Sequence, residues 1–455
     1  MKSMKSAKCF ILGGLLIDLL GQASFARELA PPEFAGPASQ ECRDFMATDI
    51  PAYYQKGFVT VPEDWENPEG NKLSIFYYGN IEDDVQTPVV FFNGGPGQDS
   101  HSSSGRFQTV EAAKTKTIIF IDQRGTGCSS LYPAELTAAA AERQVHYGSR
   151  AIVKDAEAVR KKLFGDKKWK AFGQSYGGLI AHRYVAVAPE GLDSVFVHGF
   201  AVMSSWGELY KLRLLSQKRI AESYFSKAPE DRRRLELIKA QIADETCFQG
   251  ENTRVCGAGV MDSLSLMLGL PGQWGQIHAL LAELLDADGK LKSAALRKYA
   301  EGMIRGNLDR TSMPGALIAK MEMNDRSSQS QCAAALGLLE KEGQQLADWP
   351  LNECRFFSSL TSLNETDPVL DTINGVAAFD PLRFEDLSQA LLKNPGLRIH
   401  LYSGGLDAYA PREIFSEERR ELGAAVVYKN MPDTGHDGYW LEQEIWEDLG
   451  RQGAR

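Results

Sequence analysis

Short apolar runs alternate with amphipathic stretches over residues 58–201. The runs typical of strands are 58–61, 73–78, 89–92, 117–121, 169–172 and 194–197. The first two alternate apolar and polar positions across a turn rich in Pro, Asn and Gly, which indicates a hairpin at a sheet edge. The next two are almost wholly apolar, as expected of strands buried on both faces. Amphipathic segments such as 152–163 separate the later strands, so the pattern predicts an α/β protein with a parallel, doubly wound sheet.

The pattern changes after residue 201. Helical periodicity dominates from about residue 202 to about residue 394, with runs at 208–225, 232–242, 276–285 and 331–345. Strand-like runs return at 397–402 and 425–428. We therefore expect an eight-stranded, mostly parallel sheet with a large helical cap inserted after the sixth strand. The predicted boundaries are 27–201 and 395–455 for the two parts of the sheet domain and 202–394 for the cap.

The N-terminus has the features of a targeting segment. Lys2, Lys5 and Lys8 precede an apolar stretch at 9–21, and Ser24-Phe25-Ala26 places small residues at the two positions that a signal peptidase reads. We expect residues 1–26 to be a signal peptide and the mature protein to be periplasmic or secreted, without stable membrane insertion. The alternative is an uncleaved membrane anchor, for which the apolar run is short.

Charge and cysteine content narrow the function classes. The chain has 50 basic and 60 acidic residues, a net charge of −10 and no basic block, so nucleic-acid binding is not expected. Six cysteines follow the leader, and an even number in an exported chain favours disulfides over the alternative of six buried thiols. We expect neighbours in sequence to pair, as Cys42–Cys128, Cys247–Cys256 and Cys332–Cys354. None has CxxC spacing, so a metal site has little support.

The segment Phe172-Gly-Gln-Ser-Tyr-Gly-Gly178 lies between a strand-like run and a helix-like run. Gly-x-Ser-x-Gly in this context is typical of a nucleophile elbow, a sharp turn that pushes the serine hydroxyl out at the carboxyl edge of the sheet. Ser175 is therefore the candidate nucleophile.

A serine needs a base and an acid that orients the base, and on sheets of this kind they follow in the order Ser, Asp or Glu, His. Asp407 lies in a Gly-rich loop directly after the penultimate strand, and His436 lies in a tight loop after the last strand. We expect them to complete a triad with Ser175, with Asp433 and Asp437 as alternative acids.

Acyl transfer also needs donors for the oxyanion. We expect the backbone N–H of Tyr176 and an N–H of Gly94 or Gly95, in the loop Asn93-Gly-Gly-Pro-Gly97, to supply them.

These motifs resemble the proline iminopeptidase branch of the α/β hydrolases. The loop 93–97 is similar to that branch's HGGPG, Asp122-Gln-Arg-Gly-Thr-Gly127 with Ser129 matches DQRGxGxS, and the elbow matches GQSYGG. The resemblance implies an α/β-hydrolase fold and an exopeptidase that releases residues from the free N-terminus of short peptides, without metal or cofactor. Asn93 and His198 depart from the branch, which has histidine at the first position and, in some members, arginine at the second.

An aminopeptidase requires a group for the substrate's α-ammonium, usually a carboxylate in a desolvated cap. Glu208, Glu322 and Asp325 are the candidates in the predicted cap. Two other functions remain open on sequence alone. An esterase or lipase acting on small acyl esters would use the same triad, and a non-catalytic binding protein would use the scaffold without it.

Overall fold

The computed structural model describes residues 40–81, 87–132, 142–204, 206–250, 253–307, 318, 322, 328–344, 349–362 and 380–451. The predicted signal peptide and Asp325 lie outside these residues. Within the described ranges, no helix combines the length and the apolar content that crossing a bilayer requires.

The main sheet has eight strands in the spatial order β1-β2-β4-β3-β5-β6-β10-β11. Its strands are β1 (Gln55–Pro62), β2 (Lys72–Gly79), β3 (Val89–Phe92), β4 (Ile118–Ile121), β5 (Trp169–Gln174), β6 (Leu192–His198), β10 (Ile399–Gly404) and β11 (Val426–Met431). The pairs β1–β2 and β2–β4 are antiparallel and all other neighbours are parallel. The predicted eight-stranded, mostly parallel sheet is confirmed.

Helices cover both faces of this sheet. The α-helices of the described residues are α1 (Gln40–Thr48), α2 (His101–Phe107), α3 (Glu111–Lys114), α4 (Ser149–Phe164), α5 (Tyr176–Val187), α6 (Trp206–Lys227), α7 (Pro229–Ala240), α8 (Ser265–Leu268), α9 (Trp274–Glu283), α10 (Ser293–Asn307), α11 (Ser328–Lys341), α12 (Glu353–Ser358), α13 (Phe384–Lys393), α14 (Phe415–Leu422) and α15 (Gln443–Gly450). Apolar residues of α4, α5, α13 and α14 pack on one sheet face, and those of α1, α2, α3 and α15 pack on the other. Because β3–β6, β10 and β11 are parallel, their carboxyl ends share one edge, where a site can be assembled.

The chain between β6 and β10 builds separate hydrophobic clusters, which centre on helices α6 to α12. It also contains a small antiparallel sheet that the sequence pattern did not predict, formed by β7 (Cys247–Gln249), β8 (Thr253–Cys256) and β9 (Leu360–Ser362). Strands of three or four residues are too short to give a periodic signal. Helix α13 lies within the predicted cap boundary, yet Leu387 and Leu391 pack in the same cluster as the sheet and α5.

Three disulfides join Cys42 to Cys128, Cys247 to Cys256 and Cys332 to Cys354. This is the pairing of sequence neighbours expected above. The first ties α1 to the loop after β4, and the other two lie in the region between β6 and β10. All three therefore fix segments that flank the sheet rather than the sheet itself.

Candidate active site

Ser175 occupies the sharp turn between β5 and α5. Its φ is 55°, the only positive φ of a non-glycine residue in the described part of the chain. A Cβ placed on Gly173 would lie 2.0 Å from the Gly177 carbonyl oxygen, and one on Gly177 would lie 2.0 Å from that of Phe92. Only glycine permits this approach, so the local sequence creates the tight strand-to-helix turn. The strained backbone at Ser175 is the geometry expected of a nucleophile elbow.

Asp407 and His436 are in direct contact. The Nδ1 atom of His436 lies 2.8 Å from Oδ2 of Asp407, and the two side chains are 5% and 0% exposed. Burial raises the pKa of Asp407, but the charge and hydrogen bond of His436 outweigh burial and hold that pKa below its ordinary value. A carboxylate bonded to Nδ1 fixes the imidazole tautomer and makes Nε2 the nitrogen that can take a proton.

The two alternative acids, Asp433 and Asp437, have different surroundings from Asp407. Asp433 is exposed, and Asp437 is half-buried with a pKa that burial raises. Among the hydrogen bonds of the described residues, the His436 ring is bonded to Asp407 and to neither of these.

Backbone contacts bring this pair to the end of β5. The side-chain amide of Gln174 donates to the carbonyl of His436 at 3.0 Å, and the N–H of Ser175 donates to the carbonyl of His198 at 2.9 Å. A Cβ on Gly199 would lie 2.9 Å from the His436 ring and 3.4 Å from Asp407 Oδ2. The ends of β5, β6 and β10 and the loop after β11 therefore meet at one edge of the sheet.

The loop after β3 passes directly beside the elbow. A Cβ on Gly94 would lie 3.2 Å from the Cβ of Ser175, so this backbone approaches the serine with no side chain between them. Asn93 is buried, and its side chain accepts from Ser103 Oγ at 2.7 Å and donates to the carbonyl of Asp99. The asparagine that replaces the branch's histidine therefore ties the loop to α2 and its N-terminal flank. Tyr176 begins α5, where the first backbone N–H groups have no partner inside the helix.

His198 ends β6 and is fully buried. Within the described part of the chain, neither of its ring nitrogens has a hydrogen-bond partner. Burial lowers the pKa of His198 to about 3; the charge of Asp407 opposes this shift, and that of His436 adds to it. A neutral imidazole therefore stands where some relatives of the resembled branch have an arginine.

Asp122 and Arg124, two charged residues of the segment after β4, stabilise the scaffold around the site rather than the reacting groups. Asp122 accepts from the backbone N–H groups of Ser100 and Cys128. The buried Arg124 guanidinium forms a two-pronged contact with Asp155 at 2.6 and 2.7 Å. These bonds fasten the segment to α4 and to the start of α2.

Two of the predicted amine-binding residues, Glu208 and Glu322, have other partners. The Glu208 side chain is 46% exposed, pairs with Lys211 at 2.9 Å and lines a cavity of about 270 Å³ together with Glu413 and Glu417. Glu322 is buried, and its two carboxylate oxygens accept from Ser149 and Tyr176.

A different carboxylate is connected to the histidine through two intervening side chains. Glu353 is fully buried, and one oxygen accepts from Arg213 Nη2 at 2.9 Å. In the described residues, the other carboxylate oxygen of Glu353 and the Nε of Arg213 lack partners. The Arg213 guanidinium lies 5.5 Å from the Tyr409 ring, which lies 5.0 Å from the His436 ring. Nothing in the local sequence distinguishes Glu353 from the other 59 acidic residues, since its partner Arg213 lies 140 residues away in the chain.

Comparisons with known proteins support the fold. Residues 87–245, about a third of the chain, match the family model described as alpha/beta hydrolase fold. A proline iminopeptidase from Aeromonas sobria is 32% identical over 154 residues, which cover 31% of this chain and 36% of the relative. The proline iminopeptidase aneH from Aspergillus aculeatus is 28% identical over 214 residues, covering 44% of this chain and 47% of the relative. The chain thus spans less than half the length of these relatives.

Solved structures are more distant. A proline iminopeptidase from Mycobacterium smegmatis has 14% identity and a TM-score of 0.40, covering 87% of this chain and 99% of the other. An esterase from Thermogutta terrifontis has 13% identity and a TM-score of 0.41, covering 88% and 100%. By its strand order, its elbow and the matched family model, the chain has an α/β-hydrolase fold, and in sequence it resembles the proline iminopeptidases.

Proposed function

We propose that the protein is an exported serine exopeptidase, an aminopeptidase that hydrolyses short peptides from a free N-terminus. The observation that carries the proposal is the position of Ser175, in a strained elbow at the same sheet edge as the buried Asp407–His436 pair. The similarity to proline iminopeptidases supports a peptide substrate over other acyl compounds. The predicted leader and the three disulfides support export.

The proposed reaction has two halves. The Oγ of Ser175 attacks the scissile carbonyl while its proton passes to Nε2 of His436, and a tetrahedral adduct forms. The adduct collapses as His436 returns the proton to the leaving amine, which leaves an acyl-enzyme on Ser175. Water then attacks the ester, with His436 again taking and returning the proton, and the released acid restores the free serine. Asp407 stays ionised throughout and stabilises the imidazolium.

The oxyanion donors would be the backbone N–H groups of Tyr176 and of Gly94 or Gly95. Tyr176 supplies an N–H at the positive end of α5, which favours developing negative charge. The bare backbone at Gly94 supports the second donor, because a side chain there would collide with the elbow.

Glu353 is the residue that we assign to the substrate's ammonium. A buried carboxylate oxygen without a donor costs free energy, and an incoming ammonium would supply three donors. Arg213 compensates part of the carboxylate charge. Its guanidinium lies beside the Tyr409 ring, which in turn lies beside the His436 ring. This assignment replaces Glu208, whose exposed carboxylate already pairs with Lys211.

The test compares p-nitroanilides of single amino acids and of di- and tripeptides, each with a free and with an acetylated N-terminus, and p-nitrophenyl acetate. We expect the free-amine anilides to have much the highest kcat/KM. Ser175→Ala should reduce kcat for every substrate by several orders of magnitude, the scale of losing a triad nucleophile, while the circular dichroism spectrum stays unchanged. Equal rates for free and acetylated anilides, with a faster ester, would instead identify an esterase.

A further inference from the structure

Glu322 belongs to the chain between β6 and β10, yet it is bonded to the residue that follows Ser175. Its Oε2 accepts from the Tyr176 hydroxyl at 2.6 Å, and its Oε1 accepts from the N–H and Oγ of Ser149 at 2.6 and 2.7 Å. The side chain is 2% exposed. Burial raises the pKa of Glu322, and the Tyr176 and Ser149 donors partly offset that effect. A carboxylate with three donors and almost no solvent contact is suited to holding its neighbours in place.

The hydroxyl of Tyr176 lies on the same residue as the proposed oxyanion donor. Tyr176 is fully buried in the core between the sheet and α5. Rotation about Cβ–Cγ leaves the tyrosine hydroxyl on its axis, so only the Cα–Cβ torsion moves the hydroxyl relative to the backbone N–H. A fixed hydroxyl therefore restricts the orientation of the first turn of α5. Movement of that turn would change the direction of the N–H toward the oxyanion.

A second contact secures the same helix. Arg183 lies two turns after Tyr176 and donates from Nε to Ser149 Oγ at 3.0 Å. Its Nη2 donates to the carbonyl of Asp380 at 2.7 Å. Ser149 therefore links α4 to Glu322 and to α5, but it does not touch the elbow residue itself.

We propose that Glu322 is a positioning residue that holds the Tyr176 N–H in line for the oxyanion through the Tyr176 hydroxyl. The proposal rests on the proposed function, because it assumes acyl transfer at Ser175. We expect Glu322 to stabilise the transition state, in which negative charge develops on the oxygen, and to leave substrate binding unchanged. Removing a complete oxyanion donor typically lowers kcat by 10²–10³-fold, so loosening one should lower kcat by about tenfold.

The decisive variant is Tyr176→Phe, which removes the hydroxyl and keeps the ring and the backbone N–H. We expect kcat to fall by about tenfold for both a free-amine anilide and p-nitrophenyl acetate, with KM unchanged. The affinity for a trifluoromethyl ketone, which forms a tetrahedral adduct on serine, should fall by the same factor. The matched control is Ser149→Ala, which removes another donor to Glu322. It should lower the melting temperature and leave kcat close to wild type.

Glu322→Gln completes a double-mutant cycle with Tyr176→Phe. If both act through one bond, the double variant should lose no more activity than either single variant.

A wild-type kcat in Tyr176→Phe, or an equal loss of kcat in Ser149→Ala, would overturn the proposal. Tyr176→Phe decides alone if Glu322→Gln fails to fold. An increase in KM confined to free-amine substrates in Glu322→Gln would also overturn it and restore Glu322 as an amine ligand. If the wild type showed no preference for free-amine substrates, only the aminopeptidase assignment would be refuted. The rates on the ester would still test whether Glu322 positions the Tyr176 N–H.

Discussion

Asp407 uses one carboxylate oxygen for His436 and the other for its own loop. Oδ2 lies 2.8 Å from His436 Nδ1, while Oδ1 accepts from the backbone N–H groups of Tyr409 and Ala410, each at 2.8 Å. The loop thus fixes the orientation of the carboxylate, and the carboxylate in turn fixes the orientation of the imidazole. A group held in this way resists rotation and orients the base in advance of substrate.

Asp407→Asn should therefore keep the fold and lose activity. An amide at this position donates where the carboxylate accepts, so it favours the wrong imidazole tautomer, and the corresponding change in serine proteases costs about 10⁴-fold in kcat. The measurement is kcat for an anilide and an ester, with thermal unfolding as the check on folding. Asp433→Asn, which changes an exposed carboxylate in the loop of His436, is the matched control and should behave as wild type. Comparable activity in the two variants would contradict the assignment.

Glu353→Gln tests the proposed ammonium site. The amide keeps the size of the side chain but loses the charge, so KM for free-amine anilides should rise at least tenfold while the kinetics on p-nitrophenyl acetate stay near wild type. The measured quantity is the ratio of kcat/KM for free and acetylated anilides.

The change leaves Arg213 buried without its counter-ion, which can destabilise the fold. The double variant Arg213→Gln with Glu353→Gln removes both charges and should show the same loss of selectivity. Glu208→Gln alters an exposed carboxylate on α6 and serves as the control. An unchanged selectivity ratio in both Glu353 variants would assign the amine to another group.

His198 should make stability depend on pH in the acid range. Burial lowers its pKa to about 3 in the fold, whereas in the unfolded chain its pKa is close to 6.5. Between these values the unfolded chain binds a proton that the folded protein excludes, so the free energy of unfolding falls as pH falls, by about 1.4 kcal/mol per pH unit. His400, with a pKa lowered by burial to about 4, acts in the same direction.

His198→Phe removes one of these two contributions. Since both ring nitrogens of His198 lack partners among the described residues, phenylalanine loses no hydrogen bond recorded there. Urea unfolding at about pH 7 and at about pH 5 should show that wild type loses about 2 kcal/mol more than the variant over this interval. Parallel curves for the two proteins would show that His198 binds a proton in the fold as readily as in the unfolded chain.

The disulfides should contribute unequally to stability. Cys42 and Cys128 are separated by 86 residues, and Cys247 and Cys256 by 9. Loop-closure entropy predicts a loss of about 4–5 kcal/mol for Cys42→Ala with Cys128→Ala and about 2–3 kcal/mol for Cys247→Ala with Cys256→Ala. Denaturant unfolding of the two double variants measures both values. A larger loss at the short loop would mean that native-state contacts, and not chain entropy, dominate.

Local patterns determined the sheet and its reacting groups. Each of the eight main strands overlaps an apolar or alternating run, and the runs of β3 and β4 are almost wholly apolar because these strands are buried on both faces. Ser175, Asp407 and His436 follow strand ends in the order that this kind of sheet requires, and tight turns demand glycines that are visible in the sequence. The residues that close the elbow, Gly173 and Gly177, are of this kind.

Only the tertiary structure decided the surroundings of those groups. Glu322 and Glu353 both lie in the insertion and are equally plausible as solvated charges. Packing makes one a partner of Tyr176 and pairs the other with Arg213. The short strands β7–β9 and the placement of α13 against α5 also depended on contacts between distant segments. Such contacts leave no periodic trace along the chain, because a side chain's partner is set by where helices cross and not by its neighbours in sequence.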